Sequence, residues 1–339
     1  MRWTMVMVAL LLLAACSTPV QQPQEIPVVP TGQEAPPPTI QAPADPFAAV
    51  QEWLFTFLFG VGNYNDLTGQ YREGIELGEF SHPRGIALLG DKVYVVEEGN
   101  HRVQVLSLDG TPLETFGSKG GSNGQLSFPA DITVSGGEVY IADKANQRVS
   151  VFSAGGEFLR SFGTRGSGAG QFLNPVGVAV HEGRVYVTDE GNHRVQVFTP
   201  EGEWLLSMGS RGPQAGQLLN PRQLFVDSTG VYVADYGNHR IAHFTLDGEP
   251  AAGLAAVKGR EVGQLQFPLD VMRIGDYLLV SEDGNHRIQV FKEGRSVATF
   301  GEEGIEEGQF KNPAGMARSG TTLFVADGGN HRLQAFSLV

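Results

Sequence analysis

The chain has 339 residues, with 37 Asp and Glu against 24 Lys and Arg and a formal charge of −13. That balance argues against a general phosphate-binding surface and repels nucleic acid on average, while leaving room for a local basic patch. A single cysteine excludes an intramolecular disulfide, while 45 glycines and 19 prolines suit an all-β fold rich in turns.

Met1 and Arg2 precede an apolar run of 11 residues from Met5 to Ala15, a signal-peptide pattern too short to span a bilayer. The run ends in Leu13-Ala14-Ala15-Cys16, which resembles the lipobox of bacterial lipoproteins. That resemblance implies cleavage before Cys16 and lipidation of its sulfur. With Ser17 rather than Asp next, it also implies delivery to the outer membrane of a diderm bacterium. Ser17 to Pro46 holds nine prolines and no aromatic residue, so residues 16–46 are expected to form a lipidated, disordered tether.

Residues 47–339 repeat one phrase. Asn-His-Arg stands around His101, His193, His239, His286 and His331, with a sixth copy altered to Gln147, at spacings of 46, 46, 46, 47 and 45 residues. A fixed period in this range means stacked supersecondary units. In the copy around His193, four β-rich runs (Val176–Val180, Arg184–Asp189, Arg194–Phe198, Trp204–Gly209) alternate with turns at His181–Gly183, Glu190–His193 and Pro200–Gly202. Four antiparallel strands per period are one blade, and six kernels predict an all-β, six-bladed β-propeller.

The sequence stops after the third strand of the last blade. Trp53–Gly60 resembles the outermost strands that end in Phe116-Gly117, Phe162-Gly163 and Phe300-Gly301, so the N-terminal strand is expected to complete that blade and hide its open edge. The kernel, with an acidic residue three positions before its Asn and Val-Gln-Val-Phe after it in the best copy, resembles the NHL repeat family. The resemblance covers about residues 52–339 and implies a six-bladed propeller, in agreement with the strand count.

Five histidines on one face invite a metal reading. The turns that carry them lie roughly 10 Å or more from the axis, given strand spacings of about 4.8 Å. In a sixfold ring neighbours are about as far apart, too far for one ion with bonds of about 2.1 Å. The kernel residues are instead expected to clamp hairpins. Glu97, Asp143, Asp189, Asp235, Glu282 and Asp327 each stand five residues before the kernel Arg, placed to accept from it and from turn amides. No metal or other cofactor is expected.

Binding surfaces break a repeat where its skeleton keeps it. After the inner-strand prolines come Arg84, Ala130, Val176, Arg222, Leu269 and Ala314, then Gly85, Asp131, Gly177, Gln223, Asp270 and Gly315. Arg84 and Arg222 are three blades apart, as are Asp131 and Asp270. Arg84 with Asp131 and Arg222 with Asp270 are expected to pair around the channel mouth, either as two rim ion pairs worth little or, with Gln223, as a two-sided polar pocket for a small zwitterionic or peptide ligand. From Phe59 to Pro83 the chain takes 24 residues where other blades take 13, an insertion within residues 61–76 whose Tyr64, Asp66, Tyr71 and Arg72 are candidate contacts.

Some NHL-like propellers are enzymes; the amidating lyase holds zinc with channel histidines. Here only His82 precedes an inner-strand proline, where the other blades have Phe128, Asn174, Asn220, Phe267 and Asn312. No nucleophile elbow, haem-attachment motif or P-loop is present. Another branch of the family binds RNA on a basic face, which the acidic balance opposes. The expected protein is a monomeric, membrane-anchored extracytoplasmic propeller without catalytic residues, binding an envelope or extracellular protein as a scaffold. The alternative is a metal-assisted lyase or hydrolase at the channel mouth.

Overall fold

The computed structural model describes residues 39–41, 54–65, 70–72, 74–254 and 257–338. The signal peptide, Cys16, most of the tether, Trp53 and Asp66 lie outside the described residues. Six antiparallel sheets form the blades of a propeller. Blade 1 runs outward through Pro83–Leu89, Lys92–Glu97, Arg102–Ser107 and Pro112–Phe116. Blades 2 to 6 begin at Pro129–Ser135, Pro175–His181, Pro221–Asp227, Pro268–Ile274 and Pro313–Ser319. These innermost strands stand side by side around an axis, and that of blade 6 returns to that of blade 1.

Burial follows the pattern in the sequence. The second strands, such as Lys92–Glu97, are buried on both faces, whereas the outermost Pro112–Phe116 alternates between half-buried and exposed. Between blades, the loops insert fully buried plugs: Phe80, Leu126, Phe172, Leu218, Leu265 and Phe310. The turns between second and third strands share one face with the blade-joining loops. This is the kernel face.

The last blade is completed from the N-terminal side, as the sequence predicts. Leu54–Asn65 pairs antiparallel with Arg332–Leu338, Phe55 opposite Leu338 and Gly62 opposite Arg332. The strand outruns Gly60, and its end turns back to pair with Gln70–Arg72, with Tyr64 opposite Tyr71. The insertion assigned to residues 61–76 is therefore a continuation of the closing strand and its hairpin. Gly74–Glu76 belongs to the ordinary blade-joining loop, where Gly74 accepts from Asn100 and Ile75 and Glu76 accept from Arg102, as their counterparts do in the other blades. Thr39–Gln41, inside the stretch expected to be tether, adds a further short strand outside Leu54–Thr56. Deleting residues 54–62 is expected to bare the edge of Arg332–Leu338, lowering both solubility and the thermal unfolding temperature. An unchanged unfolding transition would show that closure does not stabilise the ring.

Candidate binding face and channel

The kernel works as a staple between blades. Each kernel histidine sits in the left-handed region, φ 54 to 56°. Its Nδ1 accepts the backbone N–H of the residue before the next blade's first proline. The donors are Phe128 to His101 at 2.9 Å, Asn220 to His193, Phe267 to His239 and Asn312 to His286 at 3.1 Å, and His82 to His331 at 3.2 Å. The last of these links blade 6 to blade 1. Gln147 replaces the imidazole with its Oε1, which accepts from Asn174 N–H at 2.7 Å, so the altered copy keeps the bond.

The kernel acid and arginine complete the clamp. Fully buried Asp189 accepts from Leu173 N–H, Asn192 Nδ2 and Arg194 Nε, and Arg194 reaches on to the carbonyls of Gly168 and Gln171. Burial, joined by the neighbouring cations Lys119, Arg211 and Lys258, holds His101, His193 and His239 below the ordinary histidine range. This keeps Nδ1 free to accept at neutral pH.

The channel residues occupy two levels. At the mouth, on the kernel face, a recess of about 40 Å³ is lined by Arg84, Glu98, Lys144 and Arg222. The expected pairs of Arg84 with Asp131 and Arg222 with Asp270 do not form. Arg84 binds Glu98 at 2.8 Å, Lys144 reaches the same carboxylate at 3.4 Å, and Arg222 binds Glu190 at 3.0 Å. Arg222 also stacks over Tyr236, 4.7 Å from the ring centre, and its Nε is buried with no hydrogen-bond partner. Tyr236 donates to Asp283 at 3.0 Å, and Asn312 donates to the other oxygen of that carboxylate.

The mouth partners Glu98, Lys144, Glu190, Tyr236 and Asp283 stand one place after the second-strand acid, a position that varies from blade to blade beside one that is always acidic. Sequence reasoning missed them, although that contrast was a signal able to find them.

Asp131, Gln223 and Asp270 lie deeper, each at most 7% exposed, and form a neck. Gln223 Nε2 donates to Asp131 across 2.9 Å, and Val178 N–H donates to the second oxygen of Asp131, also at 2.9 Å. Asp270 accepts from Val271 and Met316 N–H, both at 2.8 Å. Asp131 and Asp270 thus satisfy amides on the free inner edge of the ring. Glycine is required beside them: a Cβ on Gly85 would stand 2.4 Å from Asp131 Oδ1 and 2.7 Å from its Cα.

Beyond the neck a cavity of about 190 Å³ extends toward the opposite face, past Thr133, Val180, Val226 and Met272. Burial pushes Asp131 up to about 7 and, together with the charge of Asp131, pushes Asp270 well above the carboxylate range. At neutral pH the pair therefore holds at least one proton in part. Among the described residues no three His, Cys, Asp or Glu side chains come together as a metal site.

The blade-joining loops give the kernel face its second character. Ile75, Leu77, Phe128, Val257 and Val262 are 46% to 72% exposed, all within these loops. Phe128 is held at φ 49°, a left-handed conformation costly for a bulky residue, by its bond to His101 and an edge contact with that imidazole at 4.6 Å.

The NHL repeat model matches residues 80–106, 126–152 and 172–198. The chain therefore carries NHL repeats, and the same kernel bonds recur in blades 4 to 6 beyond the matched segments. A search of curated proteins gives no match. Among solved structures the chain is similar to an auxiliary nutrient binding protein from Bacteroides thetaiotaomicron, with 15% identity and a TM-score of 0.64 over 84% of this chain and 76% of that one. It is similar also to virginiamycin B lyase from Staphylococcus aureus, with 15% identity and a TM-score of 0.54 over 84% of this chain and 100% of the other. A third similarity is to a chain of a nidogen/laminin complex, with 17% identity and a TM-score of 0.53 over 77% and 92% of the two chains. At such identities the likeness is one of fold.

Proposed function

We propose that this protein is a lipid-anchored propeller of the bacterial cell envelope that binds a partner protein through its kernel face. The observation that carries this reading is that five exposed apolar side chains, Ile75, Leu77, Phe128, Val257 and Val262, stand on three blade-joining loops of one face that a regular hydrogen-bond skeleton holds in place. Apolar side chains on the rim of one face offer a partner anchoring points, and rigid loops lower the entropy cost of binding. Support for the anchor comes from the Leu13-Ala14-Ala15-Cys16 sequence alone. The mouth, with its unpartnered Arg222 Nε, offers a polar socket at the centre of the same face.

Photo-crosslinking residues placed at Phe128 and Val257 in living cells are expected to capture a protein, and the same residue at Leu113 or Leu159 on the outer strands is not. Cys16→Ser is expected to move the chain from the membrane to the soluble fraction. Equal capture from both sets of positions would refute the docking face. Unchanged fractionation would refute the anchor.

A further inference from the structure

Charge is unevenly spread over the two faces of the ring. Turns of the face opposite the kernels expose Asp91, Asp109, Glu157, Glu182, Glu201 and Asp247. On the kernel face the loops Gly117–Phe128, Gly163–Asn174 and Gly209–Asn220 contain no acidic residue at all. At one equivalent position in four successive loops stand Lys119, Arg165, Arg211 and Lys258, with Arg260 beside the last, all exposed and none in an ion pair among the described residues. The next loop reverses the sign, exposing Glu302, Glu303, Glu306 and Glu307. A protein of net charge −13 thus carries a basic arc over blades 1 to 5 that ends abruptly at an acidic sector.

The arc is ordered. Lys119, Arg211 and Lys258 are each fixed by a bridge to the buried plug of the same loop, Leu126, Leu218 and Leu265, and Thr164–Arg165 pairs with Gln171–Phe172. Three of the cations lie beside the kernel imidazoles His101, His193 and His239, and the matching place in the acidic sector has His286 3.9 Å from Glu303. Apolar side chains stand at both ends of the arc. Phe128 closes the loop that begins near Lys119, and Val257 and Val262 flank Lys258 and Arg260. A phosphate polymer or sulfated glycan would have no use for these, whereas a peptide with carboxylates and apolar side chains would use both.

We propose that the arc holds an acidic, amphipathic segment of the partner, carboxylates on Lys119, Arg165, Arg211 and Lys258 and apolar side chains against Phe128, Val257 and Val262. This rests on the protein-binding reading of the kernel face and adds the chemistry of the ligand and its direction around the ring. With neighbouring loops roughly 10 Å or more apart, an extended segment at about 3.3 Å per residue meets a new cation every three or four residues.

The probe is a fluorescein-labelled peptide of about twelve residues, glutamate at every third position and leucine or alanine between, followed by anisotropy at low ionic strength. Binding is expected to weaken with added salt and by about tenfold or more in a Lys119→Glu, Arg165→Glu, Arg211→Glu variant. These side chains are exposed, so that variant should keep its thermal unfolding temperature. A Glu302→Lys, Glu303→Lys, Glu306→Lys variant should bind as well or better. No peptide binding, or equal binding by the first variant, would overturn the proposal. So would tighter binding of dextran sulfate or phosphatidylglycerol vesicles than of the peptide. If crosslinking at Phe128 still captures a protein in any of these cases, the docking face stands and only the acidic segment falls.

Discussion

Asp327→Ala is expected to cost roughly 3–5 kcal/mol of stability, the loss typical of removing one partner from a buried ion pair. Asp327 is fully buried and accepts from Arg332 Nε at 2.7 Å, Lys311 N–H at 2.7 Å, Asn330 Nδ2 at 2.9 Å and Gln334 Nε2 at 3.0 Å. Arg332 is itself only 2% exposed in its side chain, so removing Asp327 strips this carboxylate from a deeply buried cation. The same clamp in blade 3 leaves Arg194 15% exposed, and Asp189→Ala should cost less. Blade 6 is also where the ring closes on Leu54–Asn65, so the larger loss falls at the seam. Denaturant unfolding of the two variants measures the difference. Equal costs would show that burial of the arginine does not set the strength of the clamp.

Asp131→Asn should act in the opposite direction and depend on pH. Burial raises the folded-state carboxyl to about 7 from an ordinary 3.8, so the native state holds a proton that the unfolded chain releases between those values. Stability from this group is therefore lost as pH rises from about 4 through 7, and the ionised form strains the neck above that. Asparagine stays neutral, and a flipped Gln223 amide would complement it while Val178 N–H keeps its acceptor.

The variant should be nearly neutral near pH 4. Above pH 8 it should be more stable than the parent by up to roughly 4 kcal/mol, because each tenfold change in proton affinity on folding is worth about 1.4 kcal/mol. The kernel imidazoles contribute with the other sign. Lowered in the fold, they give stability that is full above about 6.5 and lost as the pH falls. The difference between variant and parent cancels that contribution, so urea unfolding at pH 5 and pH 8 isolates Asp131. A difference independent of pH would remove the buried proton from the neck.

How much of this could be read beforehand depended on how far apart the partners lie in sequence. The kernel clamp is local: acid and arginine are five residues apart, and one period contains both, so repetition exposes the role. Closure by the N-terminal strand was legible because the chain lacked one strand at one end and had it at the other. The mouth was not. Arg84 and Arg222 stood out, but their partners Glu98 and Glu190 are reached through hairpins of the arginine's own or the preceding blade, rather than from the neighbouring inner strand. The hairpin at Asn63–Arg72 looked like a loop because its strands continue the closing strand, and only that strand's depth in blade 6 reveals where the loop begins.

By itself the sequence determined the repeat, the strand count, the six blades and the seam, because four strands per period make one blade, each blade needs a neighbour to bury its apolar faces, and the strand missing from the last blade stands near the N-terminus. It also determined the residues that break the repeat. Only the tertiary structure decided their depth. Asp131 and Gln223 are 92 residues apart and meet because the ring brings blades 2 and 4 to one axis. Adjacent residues Arg222 and Gln223 find different partners there, Arg222 turning to Glu190 at the mouth and Gln223 reaching across the axis to Asp131.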